Sequence, residues 1–143
     1  MKPHRARILA MQAIFQKEFH NRPLQELESF DWIDYNLPQD DRDFALLLIH
    51  TTLEHQKEID ELIKNYSEHW DFDRISPVNK AILRISLAQL LYLRHIVPPK
   101  VSLDEAIRLA KEYAEDDSSR FINGILDRVY KSHLTSSTPE KGK

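Results

Sequence analysis

The sequence predicts an all-α protein of six to seven helices in two packed helical subdomains, and three observations carry that prediction. Prolines at positions 3, 23, 38, 77, 98, 99 and 139 divide the chain, and between them apolar residues recur at three- and four-residue intervals. Strand signals are weak. No run alternates β-branched with polar residues, and Asn123-Gly124, the one Asn-Gly pair, stands inside a helical pattern. The proline-led break near residue 76 splits one domain, residues 1–134, into halves of about 1–70 and 75–134. A length of 143 residues suits a single domain, since domains run roughly 100–200 residues.

The first helix is expected over residues 4 to 20, with Ile8, Met11, Phe15 and Phe19 on its buried face and Leu9 and Ile14 widening it. Arg5 and Arg7 fall in its first turn, where the helix dipole disfavours cations, so an external anion is a reasonable partner there. A short helix after Pro23 sets Leu24, Leu27 and Phe30 on one side, and residues 31–35 form an irregular aromatic connection. Asp40, Asp41 and Asp43 then open a long helix in the way the dipole favours. Its helical spacing runs from Phe44 to Tyr66, with a bend or break near His55-Gln56.

Ser76-Pro77 is a helix start, serine as N-cap and proline at the first helical position. The helix it opens is apolar nearly all round, which predicts the central, buried one. It must stop before Pro98-Pro99. Ser102-Leu103-Asp104-Glu105 has the S-x-x-E spacing of a capping box and opens the next helix. Glu115-Asp116-Asp117 supplies an N-cap and negative charge for the last, over residues 118–134, with Phe121, Ile122, Ile125, Leu126, Val129 and Tyr130 inward. Residues 135–143 are rich in Ser, Thr, Pro and Lys and are expected to be a disordered tail.

Composition excludes several chemistries. Without cysteine there is no disulfide framework, thiolate metal site or cysteine nucleophile. With glycine only at 124 and 142, Gly-rich phosphate loops cannot be built. The seven histidines contain no H-E-x-x-H and no i, i+4 pair, so no metal and no cofactor is expected. Consecutive acids at 115–117 are far more often helix caps than catalysts, and no nucleophile motif is present, so an enzyme is not expected. The longest apolar run, residues 44–49, is far short of a membrane span, and the N-terminus lacks a secretory apolar stretch. The composition fits a cytoplasmic protein.

The net charge of −3 hides an uneven distribution. Residues 1–22 carry five Lys/Arg against one acid, residues 23–73 three against fourteen, and residues 74–143 twelve against eight. A basic end beside an acidic middle can hold RNA on one face and a basic protein on another. Lys2, His4, Arg5 and Arg7 form the basic cluster, and Gln12 and Phe15 follow on the same helix. Cations hold phosphates, an amide reads a base edge, and an exposed ring stacks an unpaired base. Periodicity alone puts Phe15 in the core and leaves the arginines solvated. A second cluster is Ser118 to Gly124, in which Phe121 is more often core and Gly124 implies close approach by a neighbouring helix or ligand.

Arg5-Ala6-Arg7 with Met11-Gln12-Ala13-Ile14, the central run from Asn79 to Leu87, and the block Pro99 to Lys111 continuing into Phe121-Ile122-Asn123-Gly124-Ile125-Leu126-Asp127 make a recognisable set. On these residues the chain resembles the NusB family of bacterial transcription antitermination factors, from the basic arm to about residue 130. The C-terminal block also occurs in the N-terminal domain of a related rRNA cytosine methyltransferase. That domain, or a homo-oligomeric helical scaffold, is the alternative reading.

The resemblance implies binding of boxA, a short single-stranded element of ribosomal RNA leaders, together with the ribosomal protein NusE. It also implies loading onto transcribing RNA polymerase with other Nus factors, and it leaves a homodimer open. It implies that Lys2, His4, Arg5, Arg7, Gln12 and Phe15 meet RNA, with Asp117, Arg120, Phe121 and Asn123 as a second RNA-proximal stretch. Phe15 falls where some relatives carry tyrosine. The acidic stretch from Asp40 to Asp73 is the expected docking surface for the basic partner. This arm has fewer arginines than better-known relatives, which predicts weaker and less salt-sensitive RNA binding. Replacing Arg5 and Arg7 together by alanine is expected to reduce RNA binding and leave helicity intact.

Overall fold

The computed structural model describes residues 3–67 and 71–134. Lys2 and the expected tail lie outside the described residues. Among the described residues seven α-helices follow one another: α1 (Pro3–Phe19), α2 (Leu24–Ser29), α3 (Gln39–Glu54), α4 (Gln56–Tyr66), α5 (Pro77–Tyr92), α6 (Pro99–Tyr113) and α7 (Ser118–Val129). A 3₁₀ turn, Phe72–Arg74, precedes α5, and a π-helical turn, Tyr130–Leu134, extends α7. The described residues contain no strand, no helix long and apolar enough to cross a membrane, and no cluster of three or more acids or histidines fit for a metal ion.

Helix α5 is the hub, as its apolar circumference requires. It packs against α1, α3, α4, α6 and α7, while α1 also packs on α3 and α6 on α7. Ile82, Leu83, Ile85, Leu87 and Leu90 are fully buried around its circumference. Its start follows the sequence signal: the Ser76 hydroxyl accepts the Asn79 backbone N–H at 3.1 Å, and Pro77 occupies the first turn. The long acidic-led helix breaks where expected. His55, with φ −112° and ψ 16°, separates α3 from α4.

Two local expectations are corrected. Helix α6 begins at Pro99 rather than at Ser102: the Val101 and Ser102 amides already donate to the Pro98 carbonyl at 2.9 and 3.2 Å. Proline at the first position loses no bond, because first-turn N–H groups have no intrahelical acceptor. Ser102 is therefore buried one turn inside, and Glu105 reaches α1 instead of capping. In α1 the buried face is Ala6, Leu9, Ala10, Met11, Ala13 and Ile14. Ile8 and Phe15 lie at its margin and Phe19 is 60% exposed. Small side chains let α1 approach its neighbours closely, so the alanines take the core and the larger rings the border.

Gly124 carries no positive φ. A Cβ there would stand 3.4 Å from Nη1 of Arg128, a side chain of the same helix whose Nη2 donates to the Tyr66 carbonyl at 2.8 Å. The close neighbour is thus a flexible guanidinium and not another backbone. Gly124→Ala is expected to stabilise the fold by about 0.5–1 kcal/mol, the helix-propensity gain. A urea denaturation midpoint below that of the wild type would overturn this.

Candidate nucleic-acid interface

One open groove, about 1300 Å³ in volume, runs along the outer flank of α1. On its α1 side Arg5, Ile8, Gln12 and Phe15 follow one another at helical spacing, with His4, Leu9 and Gln16 beside them. The opposite wall comes from the connection between α2 and α3 (Trp32, Tyr35 and Asn36) and from Arg108 and Tyr113 of α6. Three arginines line it, Arg5, Arg22 and Arg108, against one acid, Asp34. Cations, amides and rings together suit a flexible polyanion with unstacked bases.

The aromatic wall is locally determined. Phe30 ends α2 in the left-handed region, φ 56°, which turns the chain and buries its own ring. The Trp32 indole N–H donates to the Leu27 carbonyl at 3.0 Å, and the Trp32 and Phe30 ring centroids are 5.7 Å apart. Those contacts tie down the connection that carries Tyr35. At the other end of α1, Arg22 folds back onto Gln16 and Glu26.

The predicted residues divide. Arg5 is exposed, with its guanidinium 5.4 Å from the Tyr35 ring centroid. Phe15 packs on the core with one side, lines the groove with the other, and stacks on Phe19 at 5.2 Å. Gln12 is half-buried beside it. His4 lines the groove mouth and bridges two carboxylates of α6, Nδ1 to Glu105 at 2.7 Å and Nε2 to Glu112 at 2.9 Å. Carboxylates only accept, so both contacts are hydrogen bonds when the imidazole carries both protons.

Arg7 departs from expectation. It is 3% exposed, its Nε donates to the Gln89 side chain at 2.8 Å, and its guanidinium lies 5.2 Å from the Phe44 ring centroid. Burial pulls its pKa below the usual arginine value, and Glu105, 3.8 Å away, pulls it partly back. Arg7 faces the interior because it shares the face of Ala10 and Ile14, three and seven residues on. It ties α1 to α5 and does not border the groove.

The second stretch is elsewhere. Asp117 and Phe121 line a separate 540 Å³ pocket with Arg74, Asn79, Glu115 and Asp116. Arg120 and Asn123 are exposed on α7 outside it. Phe121 is half-buried against the core. Three acids against one arginine make this pocket electronegative, unlike the groove. Sequence reasoning assigned no role to Trp32, Tyr35, Asn36, Arg108 or Tyr113. The aromatic run at 31–35 was the available signal, since rings in a polar connection without period have no helix face to fill.

Comparison with known proteins gives the family. The family model described as "NusB family" matches residues 4–131. The transcription antitermination protein NusB of Treponema pallidum is 45% identical over 130 residues, covering 90% of this chain and 92% of the relative. The solved structure of T. maritima NusB superposes with a TM-score of 0.84 at 33% identity, covering 98% of each chain. A structure of antitermination factors NusB and NusE in complex with double-stranded RNA matches with a TM-score of 0.75 at 26% identity, over 93% of this chain and all of that one. The chain with a basic, ring-lined groove along its first helix therefore belongs to the NusB family, whose curated members are transcription antitermination proteins and not enzymes.

Proposed function

We propose that this chain binds boxA-type single-stranded RNA through the α1 groove. It acts there in the cytoplasm with a NusE-like ribosomal protein to keep RNA polymerase reading through termination signals. The observation that carries the reading is the convergence of Arg5, Gln12 and Phe15 on one stripe opposite Trp32 and Tyr35. Family membership supports it, as does the fold shared with a NusB that was solved with NusE and RNA. The electronegative pocket of Asp117 and Phe121 suits a basic protein better than a phosphate, so the second stretch is read as the place where RNA and protein partner adjoin.

Fluorescence anisotropy with a boxA-like RNA, with and without NusE, tests this. A preference over a scrambled strand that strengthens with NusE is expected. Equal affinity for both strands in both conditions would overturn it. Arg5→Ala is expected to lower RNA affinity roughly fivefold and to reduce the salt slope by about one, with thermal stability unchanged because the side chain is exposed.

A further inference from the structure

The groove has a corner that the α1 stripe does not explain. Tyr35 and Tyr113 are among the few large apolar side chains left exposed, at 45% and 42%. They come from different elements, the α2–α3 connection and the end of α6, yet line one wall. Burial, then Glu112, then Tyr35 push the Tyr113 hydroxyl above its usual range. Arg5 already lies over the Tyr35 ring.

Arg108 completes the corner. It is 55% exposed and sits 3.6 Å from Glu105 and 3.7 Å from Glu112, beyond ordinary hydrogen-bond length. The short contacts of those carboxylates go to His4, at 2.7 and 2.9 Å. His4 thus takes the short contacts of both acids, and Arg108 can exchange two long, solvated contacts for a phosphate at little cost. With Arg7 turned inward, α6 returns to the groove a cation that the arm does not supply.

Building on the RNA reading above, we propose that Tyr35, Tyr113, Arg5 and Arg108 form a discrete nucleotide subsite, which stacks one unpaired RNA base on the tyrosine rings and takes its phosphate on the two guanidiniums. The charge of the groove favours RNA over an apolar protein segment, and the two exposed rings supply the stacking platform that single strands require.

The test uses the full chain, a boxA-like single strand, and a nested set of that strand lengthened one nucleotide at a time at either end. Wild-type affinity should rise by roughly tenfold at the extension that reaches the corner. Replacing both tyrosines by alanine (Tyr35→Ala, Tyr113→Ala) should abolish that step, whereas Tyr35→Phe with Tyr113→Phe should retain it. Arg108→Ala, at a surface position, should lower the salt slope by about one for the extended strand only.

If the wild type binds the strands but the double alanine variant shows the same step, the subsite falls and the RNA reading stands. If the wild type binds none of them, the RNA reading falls and the subsite with it. If the alanine variant, with an unchanged circular dichroism melt, loses NusE and not RNA, the corner meets protein and the proposal is overturned.

Discussion

Arg84→Ala should cost about 3–4 kcal/mol of folding stability, the largest loss expected from any single polar side chain here. Arg84 is 2% exposed and holds two carboxylates from two other helices. Nε and Nη2 donate to Asp60 of α4 at 2.8 and 3.0 Å, and Nη1 donates to Glu18 of α1 at 2.6 Å. Burial alone would lower its pKa, but the hydrogen bonds and charges of Asp60 and Glu18 outweigh that and raise it. The Phe72 ring lies 5.8 Å from the guanidinium carbon. Removing the cation leaves Asp60, only 18% exposed, facing Glu18 with nothing between them.

Glu18 is 40% exposed and can turn to water, which holds the loss toward the lower end of that range. A urea melt reads the effect, and a loss under about 1 kcal/mol would show that the pairing is incidental. Repeating Arg84→Met in an Asp60→Asn, Glu18→Gln background should cost much less. The penalty comes from stranded charge, and such coupled sites are not additive.

Arg7→Ala should lose about 2–3 kcal/mol of stability, while Arg5→Ala loses almost none. The Arg7 bond to Gln89 is buried at both ends, with Gln89 1% exposed, so truncation orphans a buried amide oxygen and opens a cavity under Phe44. Arg7→Lys should recover little, since an ammonium cannot reproduce a planar donor stacked on a ring. The joint replacement of Arg5 and Arg7 therefore mixes two effects. Measured separately by thermal denaturation, Arg7→Ala should account for nearly all the loss of stability. An unchanged melt for Arg7→Ala would overturn its interior role.

Much of the fold was legible because it rests on local rules. The Ser76-Pro77 start, the break at His55 and the buried circumference of α5 each follow from a short stretch of residues. The capping box at Ser102 failed because a stronger local rule, proline at the first helical position, acts three residues earlier. The site was half legible. Arg5, Gln12 and Phe15 share a stripe that helical spacing reveals, and the same spacing places Arg7 beside Ala10 and Ile14. Reading the basic residues as one cluster hid that difference. The far wall was not legible, because Tyr35 sits in an aperiodic connection and Arg108 and Tyr113 come from a helix over 70 residues later.

The polar pins on α1 bear on its register. Arg7 near one end of the helix meets Gln89, and Glu18 near the other meets Arg84, so the pairings run in opposite order along α1 and α5. Between them α1 presents alanines at 10 and 13 beside Leu9, Met11 and Ile14, an apolar face whose packing has no direction of its own, so the two polar contacts add the directional part of the register. A slip of one turn would move every side chain on α1 by about 5.4 Å. Such a slip would carry Arg5, Gln12 and Phe15 along the groove and away from Trp32 and Tyr35, which the proposed RNA reading needs opposite them. Arg7–Gln89 and Glu18–Arg84 thus fix which α1 side chains face the opposite wall of the groove.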